Sequence, residues 1–558
     1  IRDQPRSRGL GDVYKRQVTI QGRKHTYLGI ITDSGIQPNE QEIRGLVSPH
    51  ISSIIKKILI ETSSDILRKQ WIEVALIAQS CGGEATLADT MPSFSSYLIN
   101  TSETEIKKFF GSEDKKTYWN IGYPKVPKEI DVEVPVDVEK LINLSFGIFG
   151  KSGTGKTFLG NILAGYIILY DLLRRSDEKR IKLLIFDMHS EYALELKDNM
   201  GNPIEDGVAK IFSQYFIRYT PDSEYAERRG LRLLRINYND LTIDDLRLIG
   251  PILGISETFL SHLHSYRYIL SDKLKLGRNW IWGLLIDENT INTLEKNPEG
   301  RKIIDILHQR FSNISALRRE TLGVIKATLG SGAAHSFASQ TSKLQRLLSY
   351  PFTISDNPIE EIIDNLLRRD GSHITISLGK WEKETPLYMI IANLIARRLR
   401  QRILEKSKRG EELETKIIIF LEEAHNFLGK ETYRLSPFGD VAREMRKKGV
   451  ILCVIDQRPS ELDLDVISML WTKIVFALTE RKDIETAVLG IPRAELFRKV
   501  LPILRSQEIL IYGEAVRFPI VAKVKNYKDI ALLFKNISEE KMQKLKQKEE
   551  IFSENGLL

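Results

Sequence analysis

From about residue 136 onward, short apolar runs alternate with longer stretches in which apolar residues recur at helical spacing. The runs are Phe146 to Phe149, Ile181 to Phe186, His373 to Leu378, Ile417 to Leu421, Val450 to Ile455 and Ile474 to Ala477. They read as strands, and the alternation with helices predicts an α/β core around a parallel sheet. Between about Leu241 and Tyr350 helical spacing dominates, most regularly in Ile303 to Phe311 and Ala316 to Leu329, which predicts a helical insertion. Ahead of the core, Tyr27 to Thr32 predicts a strand ending at Asp33-Ser34-Gly35. Ile51 to Gln79 carries Ile54, Ile55, Ile58 and Leu59 at helical spacing, and Val132-Glu133-Val134 alternates like an edge strand. The expected division is therefore a small, partly β domain over 18–135 and a core over 136–538 with its insertion at about 241–350. A charged helical tail fills 539–558. Residues 1–17 show neither periodicity and are left out of the fold.

Composition narrows the class. The chain has 558 residues, of which 42% are hydrophobic and 28% charged, so it can bury a large core without staples. Its two cysteines, Cys81 and Cys453, exclude a disulfide framework or a four-cysteine zinc site. The longest apolar run, Phe158 to Tyr170, contains Gly and Asn and falls short of the ~20 residues that span a bilayer. The expectation is a soluble, cytoplasmic protein with no membrane partner. Lys and Arg number 82 against 74 Asp and Glu, a net charge of +8, which suits a polyanionic partner without requiring one.

The strongest chemical signal is Gly150-Lys151-Ser152-Gly153-Thr154-Gly155-Lys156-Thr157, set between an apolar strand and an apolar helix. That is the context of a phosphate-binding loop. The glycines let successive N–H groups face phosphate oxygens at a helix N-terminus. Lys156 is expected on the β- and γ-phosphates and the Thr157 hydroxyl on Mg²⁺. The strand Ile417 to Leu421 ends in Glu422 and Glu423; Glu422 is expected to reach the metal through water and Glu423 to take a proton from the attacking water. The strand Val450 to Ile455 ends in Asp456-Gln457-Arg458, and Gln457 suits a sensor of the γ-phosphate. Asp187 ends a strand expected beside the phosphate loop, where it would contact the nucleotide or the metal shell. His189 has no second histidine at metal-ligand spacing. Arg443 and Arg446 lie three apart on a basic segment predicted as a helix at the edge of the site, and either could serve a neighbouring subunit's nucleotide.

Taken together, these motifs resemble the HerA family within the HerA–FtsK branch of P-loop ATPases. The matching runs are Gly150 to Thr157, Asp187 to Tyr192, Leu421 to Phe427, Arg443 to Gly449, Gln457 to Ser460, and Gly513-Glu514-Ala515 with Pro519. The resemblance implies a RecA-like P-loop NTPase core, a small N-terminal β-barrel-type domain, ATP and Mg²⁺ as cofactors, and a homo-hexameric ring that translocates on double-stranded DNA. It also implies a NurA-like nuclease or a defence effector as partner. Leu144-Ser145 stands where family members often carry Arg-His, which moves the expected contact between subunits onto Arg443 and Arg446. Two other functions fit the same residues: a ring that activates an effector with ATP as regulator, and a secretion or conjugation ATPase.

Overall fold

The computed structural model describes residues 17–38, 68–81, 84–99, 103–110, 117–125, 132–173, 178–198, 200–354 and 357–539. Most of residues 1–17, residues 51–67 of the predicted helix, and nearly all of the predicted tail lie outside them. The chain forms two units, one of residues up to Glu139 with Thr472–Lys525, the other of Lys140–Trp471 with the residues from Asn526 on.

The second unit is built on seven parallel strands: β1 (Phe146–Phe149), β2 (Arg180–Asp187), β3 (Phe216–Thr220), β4 (Arg232–Leu233), β5 (His373–Ser377), β6 (Thr415–Glu422) and β7 (Val450–Asp456). Their order across the sheet is β4-β3-β5-β2-β6-β7-β1, and every pairing is parallel. All seven residues of β7 and seven of the eight in β6 are buried, which is why these runs read as continuous rather than alternating. β3 is not legible in the sequence, because Phe216-Ile217-Arg218-Tyr219-Thr220 carries an arginine in its middle. That arginine donates to the Ala193 carbonyl at 3.0 Å.

One helix among the described residues, Lys156–Leu173, is long and apolar enough to cross a membrane, and 67% of it is buried inside the protein. It is apolar on all sides because it is covered on all sides. Helix 527–539 lies over it, with Phe534 5.9 Å from Tyr166 and 5.6 Å from Phe212 between ring centres. The approach is so close that a Cβ on Gly165 would fall 2.1 Å from the Phe534 ring. The excursion at 241–350 is helical as expected, its longest helices being Pro298–His308, Ile314–Leu329 and Ser331–Leu344. A parallel bridge of Ile236–Asn237 with Phe352–Thr353 closes it, beneath the rings of Tyr238, Trp282 and Phe352.

The first unit departs from the expected division. Thr472–Val475, Glu508–Gly513 and Ile520–Val524 form antiparallel strands, and the last of these pairs with Tyr118–Pro124. Arg493 then reaches the carbonyls of Leu76 and Ala88. Residues 472–525 therefore belong with the N-terminal residues and not with the core. A five-stranded antiparallel sheet runs Glu84–Leu87, Arg68–Cys81, Thr26–Pro38, Gln17–Gln21, Tyr97–Ile99. The predicted helix from Ile51 to Gln79 is corrected where it can be seen, since Arg68–Cys81 is a strand paired on both sides. The residues whose spacing suggests a helix, Ile54, Ile55, Ile58 and Leu59, lie outside the described residues. The strand begun at Tyr27 also does not stop at Asp33-Ser34-Gly35; a register shift between Ile31 and Asp33 carries it on to Pro38.

His373 opens β5 buried, accepting the Leu183 N–H at Nδ1 (3.1 Å) with its ring 5.0 Å from that of Phe216. Burial, with help from Lys182 and Arg180, pushes its pKa down to about 3. The unfolded chain therefore takes a proton below its ordinary pKa that the folded chain refuses, and stability falls as pH falls. His373→Asn keeps an acceptor and cannot titrate. The wild type should lose about 2 kcal/mol more than this variant between about pH 7 and pH 5, read by urea denaturation.

Candidate functional site

Parallel pairing brings four strand ends to one level. Phe149 of β1 lies opposite Asp456 of β7, Ile455 of β7 opposite Glu422 of β6, and Leu421 of β6 opposite Phe186 of β2. Loops leaving these ends supply a cavity of about 500 Å³ lined by Ser152, Gly153, Gly155, Lys156, Thr157, Glu422, Glu423 and Gln457 among others.

The loop after β1 turns through three left-handed glycines, Gly150 (φ 153°), Gly153 (φ 73°) and Gly155 (φ 112°), a path closed to side-chain-bearing residues without strain. It wraps the Lys156 ammonium, which donates to the carbonyls of Gly150 (2.6 Å) and Lys151 (2.9 Å); the Thr154 hydroxyl donates to the Lys151 carbonyl at 2.7 Å. Burial lowers the Lys156 pKa, opposed by the charges of Glu423, Asp456 and Glu422. Asn161 anchors the helix that follows, donating to the Thr157 carbonyl and accepting from the Val208 N–H.

Glu422 is buried at the end of β6, with Oε2 accepting the Met188 N–H (3.1 Å) and the Tyr388 hydroxyl donating to its carbonyl (2.8 Å). Burial pushes its carboxyl well above the usual range, reinforced by Asp187, Glu191 and Glu423. Glu423 follows with a left-handed backbone, φ 46°, a conformation that costs a non-glycine residue on the order of 1 kcal/mol and gathers at functional sites. Its Oε1 accepts from Gln457 Nε2 at 2.6 Å. The chemistry of this donor set fits a magnesium triphosphate: an ammonium, a run of N–H groups and a hydroxyl for the anion, carboxylates for the cation.

Three expectations fare differently. Asp187 does not adjoin the phosphate loop, since β6 and β7 lie between β2 and β1. Its carboxylate is buried and spent on the turn that follows, accepting from the N–H groups of Glu191 (2.9 Å), Tyr192 (3.0 Å) and Ala193 (2.7 Å), and burial raises its pKa to about 7. It shapes the turn whose Met188 N–H holds Glu422. Arg443 and Arg446 do not share one helix: Arg443 ends the helix Pro437–Glu444, whereas Arg446 sits in the 3-10 turn Met445–Lys448. Neither lines the cavity. Arg443 bonds Asp440 at 2.6 Å and covers the Tyr433 ring; Arg446 covers Trp471 and shares a cleft with Thr415 and Lys416. That cleft is at the starting ends of β6 and β7, the far side of the sheet from the phosphate loop, so the predicted place at the rim of the site is corrected.

The cavity also takes in His189 and Glu191, from the run Asp187 to Tyr192, and Lys197, Asp198 and Glu382, which no motif marks. Lys197 and Asp198 arrive on the hairpin of Glu195–Lys197 with Pro203–Asp206, where Asp198 closes the turn by accepting from Met200 and Asn202. His425 and Asp456 adjoin Glu423 and were likewise unread as a pair.

Residues 120–399 match the family profile described as the central domain of the helicase HerA. The chain belongs to the HerA family. Over 431 residues it is 30% identical to the DNA double-strand break repair helicase HerA of Sulfolobus acidocaldarius, covering 74% of this chain and 72% of that protein. The HerA of the same description from Sulfurisphaera tokodaii is 25% identical over 424 residues, 75% of this chain and 72% of its own. Among solved structures, the bacterial conjugative coupling protein TrwBΔN70 aligns with a TM-score of 0.43 at 16% identity, covering 75% of this chain and 95% of that one. As a HerA-family member the chain is an ATPase, and the α/β core with its largely parallel sheet is the one the sequence motifs implied.

Burial favours the protonated Glu422 carboxyl, so the free protein loses stability as pH rises above the ordinary carboxylate range. Glu422→Gln should raise the thermal midpoint of the nucleotide-free protein at pH 8, measured calorimetrically. The gain should be smaller towards pH 5, because a carboxyl whose pKa is raised by burial costs the native state less there.

Proposed function

We propose that this chain is an ATP-hydrolysing motor that translocates on or unwinds double-stranded DNA as a homo-hexamer, with Mg²⁺ as its metal and a nuclease or other effector as its partner. The observation that carries the reading is the Glu423–Gln457 hydrogen bond at the phosphate-loop cavity, which supports Glu423 as base and Gln457 as the orienting amide. Lys156 and the N–H groups of residues 152–157 bind the triphosphate. Thr157 and Glu422, the latter through a bound water, would hold the metal, which would neutralise charge on the phosphates. Glu423 accepts the proton of the attacking water while Gln457 orients it. No arginine lines the cavity among the described residues. An arginine from a neighbouring subunit would complete the charge at the γ-phosphate, and Arg443 and Arg446 are the residues assigned to that contact. The relatives named for DNA double-strand break repair support DNA as the substrate.

Two outcomes test this. Glu423→Gln should keep ATP affinity but lower steady-state phosphate release by a factor on the order of 10² to 10⁴. Retained turnover would remove the assignment of the base. Duplex DNA should stimulate hydrolysis, and its affinity should fall by on the order of 10³ between about 50 and 200 mM salt, as expected where several phosphates are contacted. Affinity indifferent to salt would point to a protein substrate.

A further inference from the structure

His425 and Asp456 stand against the reacting carboxylate yet belong neither to the phosphate cradle nor to the metal ligands. Asp456 ends β7 with its side chain fully buried. Its Oδ1 accepts the Arg458 N–H at 2.8 Å; its Oδ2 accepts the His425 backbone N–H at 2.7 Å and lies 3.0 Å from His425 Nδ1. A carboxylate at that distance sets the imidazole tautomer, with the proton on Nδ1. The same Nδ1 is 3.6 Å from Glu423 Oε2, while Glu423 Oε1 is bonded to Gln457. The two oxygens of Glu423 thus face two groups: Gln457, which donates to Oε1, and His425, whose Nδ1 proton goes to Asp456 and whose ring edge lies against Oε2 by charge and packing. The backbone agrees: the Glu423 carbonyl accepts from both the N–H and the side-chain amide of Asn426, and the Ala424 N–H reaches the Ile455 carbonyl.

We propose that His425 is a positioning residue: tethered by Asp456, its Nδ1–H side holds the Glu423 carboxylate against Gln457 in the orientation a base needs at the cavity. A glutamate has three side-chain torsions, and a base that must be reset at each turnover loses rate; bonding one oxygen and packing the other against groups held by one strand end restricts that freedom. The electrostatics act in the same direction. Burial alone would lower the imidazole pKa, but the hydrogen bond and charge of Asp456, with Glu423 and Glu461, raise it, so the ring favours an anionic neighbour. The inference rests on Glu423 as the base, and the experiment separates the two.

ATP turnover of the full-length protein is measured at saturating duplex DNA. His425→Ala should lower kcat by about 10- to 100-fold, the scale of a reacting group displaced by about 1 Å, with KM for ATP nearly unchanged. His425→Asn, whose amide nitrogen can occupy the place of Nδ1, should recover most of that loss; His425→Gln, whose amide matches Nε2, should not. The double variant His425→Ala/Glu423→Gln should be no slower than Glu423→Gln alone, because groups that act through one another do not add. A kcat for His425→Ala within about threefold of wild type overturns the proposal, as does additivity in the double variant. Wild-type turnover in Glu423→Gln would remove the base itself, and this inference with it. Should His425→Ala melt early or fail to fold, the Asn and Gln variants decide alone, equal rates counting against the proposal.

Discussion

The parallel pairing of β1 with β7, and of β7 with β6, sets where every reacting group stands. Asp456 opposite Phe149 and Glu422 opposite Ile455 mean that three consecutive strands stop at one level. The phosphate loop, the carboxylate pair and Gln457 then emerge side by side from chain segments about 300 residues apart in sequence. A slip of one residue in either pairing would turn Glu422 from the cavity to the opposite face of the sheet, because side chains alternate with period two. Apolar side chains filling both faces of β6 and β7 make that register costly to change.

Around this frame the protein spends free energy to keep charge in a small volume. Glu422 and Asp187 stand where burial raises a carboxyl pKa, offset by backbone N–H groups, with Glu423, Asp456 and Lys156 close by. Glu423 adds a strained backbone. Such expense buys no stability, and it is concentrated where a triphosphate and a cation would be received.

Much of this was legible before any coordinates. The six apolar runs all became strands, shifted by at most a residue or two, since a strand buried on both faces leaves little ambiguity. The phosphate loop, Glu422, Glu423 and Gln457 were readable because their spacing from strand ends is local. What escaped was long-range. Strand order decides that Asp187 is two strands removed from the phosphate loop, and no local pattern encodes it. The return of 472–525 to the N-terminal unit depends on antiparallel pairing of Ile520–Val524 with Tyr118–Pro124, about 400 residues away in sequence. Arg443 and Arg446 show a further limit, for a change from α to 3-10 winding at Met445 separates two residues that ideal helical spacing would place together.

The cover over the helix Lys156–Leu173 has a consequence for how the chain is made. Gly165 leaves the ribosome about 370 residues before Phe534, the ring that packs against it. At about 5–20 residues per second, that face of the helix waits some tens of seconds for its partner during synthesis. Throughout that interval the nascent chain exposes one of its most apolar segments, and holding it from premature association falls to whatever chaperone meets the chain first.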